Sequence, residues 1–273
     1  MVMPPHSAPN PGNRSMLLCH LMELLLYKLI STPIIMGLAT WVSRKLGIGV
    51  GGWIAGLPLT SGPVSLFLAL QHNPQFAVDA ALGTMSGSAS TSAFCVMYAL
   101  SARRVRWPFA LMFGFAGFTV MTLIWKVVAI PLLPLYVTTI AVIIAALRIA
   151  PRPITAASAV TPPNWDIPLR MFLATAFVLA LTSASDVIGP TWSGLLSPIP
   201  IYATLMVSFA HVQQGPDGAL RVLRGVLLGT FAFATFFLII GGLVASLPLW
   251  LVYGLAASAA MGINAAVFHL ARR

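Results

Sequence analysis

Long apolar stretches, separated by short loops that carry most of the basic residues, dominate this sequence. Hydrophobic residues make up 59% of the chain and charged residues only 7%. A stretch of about 20 apolar residues is long enough to cross a bilayer as a helix, so a chain of 273 residues has room for about nine crossings. The stretches are continuous and lack the alternation of membrane β-strands. The sequence therefore predicts an all-α, polytopic membrane protein.

The apolar stretches predict nine spans in one transmembrane domain, residues 23–273. The predicted spans are residues 23–43, 49–71, 77–101, 107–126, 131–149, 167–186, 192–212, 219–244 and 249–270. Residues 1–22 are rich in Pro, Ser and Asn, which predicts a disordered tail. This segment lacks the basic start and long apolar core of a cleaved signal peptide.

The basic residues predict the orientation of the spans. Alternate loops place eleven of the fifteen basic residues on one side: Arg44, Lys45, Arg103, Arg104, Arg106, Arg148, Arg152, Arg221, Arg224, Arg272 and Arg273. Because cytoplasmic loops carry an excess of Lys and Arg, this pattern predicts a C-terminus in the cytoplasm and an N-terminus outside, in a membrane of the bacterial inner type. The basic residues are spread over separate loops, which argues against a nucleic-acid partner.

The two halves of the chain correspond at an offset of about 140 residues. Gly83 and Gly87 in span three fall opposite Gly225 and Gly229 in span eight, and three other landmarks follow in order. The predicted plan is 4+1+4: repeat one at about 23–127, a connecting helix at about 131–149 and repeat two at about 167–270. Because the two copies are joined by a single span, the second copy enters the membrane from the opposite face. Such inverted repeats are common in secondary transporters. Chance similarity among Leu-, Ala- and Gly-rich helices is the alternative.

The second span of each copy contains helix breakers at matching places. The segment "VGGWIAGLPLTSGPVSLFLALQ" holds Pro58 and Pro63, and its counterpart holds Pro198 and Pro200. Proline frees a backbone carbonyl, which membrane depth tolerates only beside protein or a water-lined cavity. Half-helix ends near the midplane can hold an ion or a polar group. The breaks therefore predict a substrate site, with ordinary proline kinks as the alternative.

Hydroxyl groups accompany these breaks and extend into the third span, "GTMSGSASTSAFC". Gly83, Gly87 and Thr91 form a small-residue ridge that favours close helix packing, and a polar substrate path is the alternative. The predicted substrate-binding residues are Pro58, Thr60, Ser61, Pro63, Ser86, Ser90, Ser197, Pro198, Pro200 and Thr204.

The ionisable residues give no support to an enzyme. The carboxylates are Glu23, Asp79, Asp166, Asp186 and Asp217, all near predicted span ends. No histidines have helical metal spacing, so no catalytic residue, metal or cofactor is predicted. Lys28 and Arg170 occupy corresponding positions in the copies, and each is expected to snorkel to its nearest interface.

Two transporter families resemble this chain in topology and in one motif. The nine-span plan with its Gly- and Ser-rich third span resembles the bile-acid/sodium symporter fold. The stretch "GGWIAGLPLTSGP" is similar to the G-x-x-x-A-G-x-x-x-G-P segment of cation/proton antiporters, with Gly51, Ala55, Gly56, Gly62 and Pro63 as matching positions. Two extra residues separate Gly56 from Gly62, and the antiporter carboxylates have no counterpart. The resemblance implies a related architecture without its ions or bile acids.

These features together predict an integral membrane transporter that moves a small organic solute or a lipid-linked precursor by alternating access. Its expected partners are that substrate and membrane lipids, and the sequence leaves a homo-oligomer open. The alternative is a non-transporting assembly or scaffold protein, or a lipid-modifying enzyme, in which the breaks only shape packing.

Overall fold

A computed structural model describes residues 11–58, 61–71, 74–128, 130–155, 165–176, 179–180 and 200–271. All secondary structure within these ranges is helical. The helices are α1 (Pro11–Leu46), α2 (Ile48–Ala55), α3 (Ser61–Gln71), α4 (Pro74–Ser101), α5 (Trp107–Val127), α6 (Leu132–Ile149), α7 (166–176), α8 (Ile201–Leu243) and α9 (Leu249–Ala271). The predicted all-α class is therefore confirmed.

Four of the described helices are long and apolar enough to cross a membrane. They are α5, α6, α8 and the part of α9 from Leu249 to Val267. Their length and composition support a membrane-embedded protein. The count of nine spans and the 4+1+4 arrangement stay predictions. Helix α1 begins at Pro11, so residues 11–22 of the predicted tail are helical, whereas residues 1–10 lie outside the described ranges.

Helix α8 is a hairpin whose chain reverses at Gly215. This residue has φ 69° and ψ −167°, and Pro216 follows it. Glycine adopts positive φ without steric cost, and proline cannot donate the next helical hydrogen bond. A Cβ added at Gly218 would lie 2.9 Å from the carbonyl oxygen of Ala210, whereas a straight helix would separate these residues by about 12 Å. We call residues 201–214 the first arm, 215–218 the tip and 219–243 the second arm.

The second arm lies at the centre of the protein. It carries much of both hydrophobic clusters, including Leu220, Leu223, Leu227, Phe237 and Ile240, all nearly inaccessible to solvent. Helices α2, α4, α6 and α9 all pack on α8. Most side chains of the second arm are buried, as expected for a helix that is apolar around most of its circumference.

The loops that carry the basic residues meet at one end of the helices, which we call the basic face. Asp217 in the tip of α8 binds Arg103, after α4, with 2.7 Å between carboxylate and guanidinium. The same carboxylate accepts hydrogen bonds from the backbone N–H groups of Ile154 and Thr155, after α6. Loops that the sequence assigned to one side therefore lie together in the structure.

Candidate substrate site at an interrupted helix

The predicted second span is two helices with a break between them. Helix α2 ends at Ala55, and the N–H of Gly56 still bonds to the carbonyls of Gly52 and Trp53. Pro58 lacks an N–H group and is non-helical, and the described part of α3 begins at Ser61. The predicted interruption at Pro58 is therefore present.

Pro63 does not break the helix, in contrast to the prediction. It is the third residue of α3, and the hydrogen bonding of this helix begins with the N–H of Gly62 donating to the carbonyl of Pro58 at 2.9 Å. Because the N–H of Gly62 already has an internal partner, Pro63 lies just past the first turn, where its missing N–H removes one helical hydrogen bond without ending α3. One proline of the pair lies at the interruption, and the other lies inside the helix that follows.

The broken span packs on the second arm of α8 through glycines. A Cβ added at Gly56 would lie 2.5 Å from the carbonyl oxygen of Val226 and 3.0 Å from the Cα of Gly229. Gly225 in turn faces Gly49 at the start of α2. Small residues allow this close approach of two helix backbones, as in many membrane helix pairs. The predicted small-residue ridge at Gly225 and Gly229 is thus a helix contact.

The end of α2 and the start of α8 lie at a similar distance from the basic face, which we call their depth. Helix α2 runs away from the basic face and the first arm of α8 runs toward it, and a Cβ at Gly51 would lie 2.7 Å from the Cε of Met206. At about 1.5 Å per helical residue, Gly56 lies about 7.5 Å farther from the basic face than this contact, and Pro200 lies about 9 Å farther. The chain is non-helical at Pro200, which directly precedes α8.

In a bilayer whose hydrocarbon boundary lies at the tip of α8, this common depth would be near the midplane. Gly229, which faces Gly56, follows the tip residue Gly218 by eleven residues in the second arm. Eleven residues of helix span about 17 Å, roughly half of the hydrocarbon core. A site between these helix ends would therefore lie near the midplane.

Some of the other predicted residues lie outside the described residues. These are Ser197 and Pro198 in the second half of the chain and Thr60 in the first half. The backbone N–H of Thr204 donates to the carbonyl of Pro200 at 2.8 Å. The Thr204 hydroxyl is buried and has no hydrogen-bond partner within the described ranges.

The predicted hydroxyls of the third span, now α4, contact α5 and a cleft rather than the break. Ser90 is buried and accepts a hydrogen bond from Thr122 of α5 at 2.9 Å. Ser86 donates to the carbonyl of Gly83 at 2.7 Å and lines a cleft of about 440 Å³ beside Trp125. The expectation that Gly83 packs against a helix is wrong, because a Cβ there would meet nothing within 4 Å. A residue that the prediction missed is Ser88, whose buried hydroxyl has no partner in the described structure.

A buried ionic cluster joins α1, α7 and α8 near the basic face. Asp166 is inaccessible to solvent and accepts hydrogen bonds from Arg170 at 3.0 Å, Gln213 at 2.6 Å and Arg44 at 3.3 Å. The expectation that Arg170 snorkels to water is wrong, because its side chain is only 3% exposed. The guanidinium lies over the ring of Phe209 instead. The four-residue spacing of Asp166 and Arg170 was the available sequence signal.

Comparison of the chain with protein families, curated proteins and solved structures finds no match.

Proposed function

We propose that the protein is a membrane transporter that moves a small organic solute or a lipid-linked precursor by alternating access, with its substrate site between the helix ends at Pro58 and Pro200. The observation that carries this proposal is the common depth of these two ends, which would lie near the midplane of a bilayer whose hydrocarbon boundary is at the tip of α8. Paired interruptions at one depth are the arrangement in which secondary transporters hold substrates.

The buried hydroxyl of Thr204 supports the same site. An unpaired hydroxyl in the protein interior costs about 1–3 kcal/mol. A polar group of a substrate near the start of α8 would supply the partner that the described residues do not supply. Thr204 is one helical turn from Pro200, so the hydroxyl belongs to the same end of the helix.

Two sets of ionic contacts hold together helices and loops that would move apart during alternating access. The Asp166 cluster ties α1 and α7 to the first arm of α8, and Asp217 ties the tip of α8 to the loops after α4 and α6. In the proposed cycle, these contacts hold the basic face closed. Transport in this scheme requires them to open when the substrate exchanges at that face.

The proposal is tested by comparing the metabolites of cells and medium with and without the gene, followed by complementation. Wild-type protein is expected to restore the distribution of at least one organic solute or lipid-linked precursor, and Pro58→Ala is expected to fail because alanine favours a continuous helix. Pro63→Ala is the matched control, because Pro63 lies inside α3. An unchanged metabolite distribution, or full complementation by Pro58→Ala at normal protein levels, would contradict the proposal.

A further inference from the structure

An apolar groove of about 470 Å³ lies between α1 and α7. Helix α1 contributes Ile34, Gly37, Leu38 and Trp41, and α7 contributes Ile167 and Met171. The positions on α1 follow the helical spacing of three and four residues, so they form one stripe along the helix. The groove therefore runs along α1 toward the basic face.

The stripe of α1 ends in a cation. Lys45 is four residues beyond Trp41, and its Nζ atom lies 4.4 Å from the centre of the Trp41 ring. The stripe thus changes from apolar to positive within one turn of helix. Such a surface is complementary to an amphiphile that has an apolar chain and an anionic head.

The charges around this end of the groove are predominantly positive. Arg44 and Arg170 both contact Asp166, which is the single carboxylate of the cluster, and Lys45 adds a third cation. Among the described residues at this end of the groove, the cations therefore outnumber the carboxylates. Basic residues at a membrane surface attract anionic lipid headgroups by about 1 kcal/mol each.

The apolar part of the groove is open on its outer side. Ile34 is 51% exposed, Leu38 57% and Trp41 49%. In the predicted first span, these side chains face the hydrocarbon of the bilayer. Tryptophan is also the residue type enriched at the junction of chain and headgroup regions. The surrounding membrane is therefore the source of the occupant.

We propose that this groove binds an anionic phospholipid of the surrounding bilayer, with one acyl chain along Ile34, Leu38 and Trp41 and its phosphate held by Lys45. The site is separate from the interrupted helix, and lipid binding here holds whether or not the protein transports a substrate.

Native mass spectrometry of the purified full-length protein tests the site, with phosphatidylglycerol or phosphatidylcholine of the same chains added in detergent. Wild-type protein is expected to retain phosphatidylglycerol in preference to phosphatidylcholine. Lys45→Gln should lower phosphatidylglycerol retention about fivefold, the equivalent of about 1 kcal/mol, and leave phosphatidylcholine retention unchanged. Leu38→Trp should fill the groove and lower retention of both lipids.

Two variants outside the groove serve as matched controls. Arg106→Gln removes an exposed cation of the same face, and Leu133→Trp enlarges a side chain of α6 that is 66% exposed. Both should bind lipid as the wild type does. If Leu38→Trp fails to fold, Ile34→Trp fills the same groove. Any of three results would overturn the proposal. These are equal retention of the two lipids by the wild type, equal losses in Arg106→Gln and Lys45→Gln, and wild-type lipid binding by Leu38→Trp or Ile34→Trp.

Discussion

Gly56 and Gly229 pack backbone against backbone: a Cβ added to either residue would lie 3.0 Å from the Cα of the other. The contact joins the end of α2, beside the break, to the middle of the second arm of α8. Neither position can accept a side chain without displacing a helix backbone. The contact therefore fixes the position of the candidate site.

Gly229→Ala should destabilise the protein, because the new methyl group would meet the backbone of Trp53 and Gly56. Overpacking of this kind costs about 1–3 kcal/mol. Gly254→Ala in α9 is the control, since a Cβ there meets nothing within 4 Å and alanine favours a helix by about 1 kcal/mol. Thermal unfolding in detergent measures both. A Gly229→Ala protein as stable as Gly254→Ala would mean that the two helices do not approach this closely.

The pair of Asp166 and Arg170 should show strong coupling in a double-mutant cycle. Asp166→Asn leaves the buried Arg170 without its ionic partner, and Arg170→Gln leaves Asp166 with Arg44 as its ionic partner. Each single change is expected to cost about 3–5 kcal/mol, whereas the double change should cost much less than their sum. The free energies of unfolding of the four proteins provide the test. Strict additivity would show that the two groups do not interact.

Asp217 should make stability depend on pH only in the acid range. The hydrogen bond from Arg103, followed by those from Thr155 and Ile154, holds the pKa of this tip carboxyl below its ordinary value. A lowered pKa means that the stabilisation is complete above about pH 4 and is lost as the pH falls below it.

Asp217→Asn tests this pH dependence. The variant should unfold at a lower temperature than the wild type at pH 7, with a loss of about 1–3 kcal/mol from the weakened hydrogen bonds. The difference should stay constant between pH 7 and 5 and shrink only in more acid solution. A difference that disappears between pH 7 and 5 would contradict the lowered pKa.

The sequence predicted the features of this fold that depend on hydrophobicity and on helix breakers. Apolar length predicted an all-helical protein, Pro58 marked the interruption, and the predicted loop between spans seven and eight contained the reversal at Gly215. Each of these signals acts within a few residues. A proline always lacks an N–H donor and a glycine always tolerates positive φ, although Pro63 inside α3 shows that a missing donor does not always interrupt a helix.

Contacts between distant helices could not be read from the sequence. Gly83 and Gly229 belong to similar motifs, yet Gly83 faces open space and Gly229 faces α2. The difference arises from the helices that happen to lie beside them, because a small residue permits close approach but does not supply the neighbour. Arg170 was likewise expected at an interface, whereas Gln213 and Asp166 together satisfy its guanidinium inside the protein.

The orientation of the basic face is open to a direct test. The excess of basic residues predicts that this face is cytoplasmic. In a protein without its native cysteines, Arg104→Cys at the exposed basic face should react with an impermeant thiol reagent only after cell rupture. Leu247→Cys, in the exposed turn before α9, should react in intact cells. The reverse pattern would place the basic face outside.

Thr204 should become accessible to water-soluble thiol reagents if the helix ends at Pro58 and Pro200 form a transport site. In the same cysteine-free background, Thr204→Cys is expected to react slowly in sealed vesicles, because the residue is 7% exposed here and would be uncovered only in another state of the cycle. Thr139→Cys in α6 is the matched control. Its hydroxyl is also buried without a partner in the described structure, but it lies on a helix outside the break and should stay unreactive. Equal rates for the two cysteines would remove the evidence for a water-accessible path at the break, and Pro58 would then be a feature of packing alone.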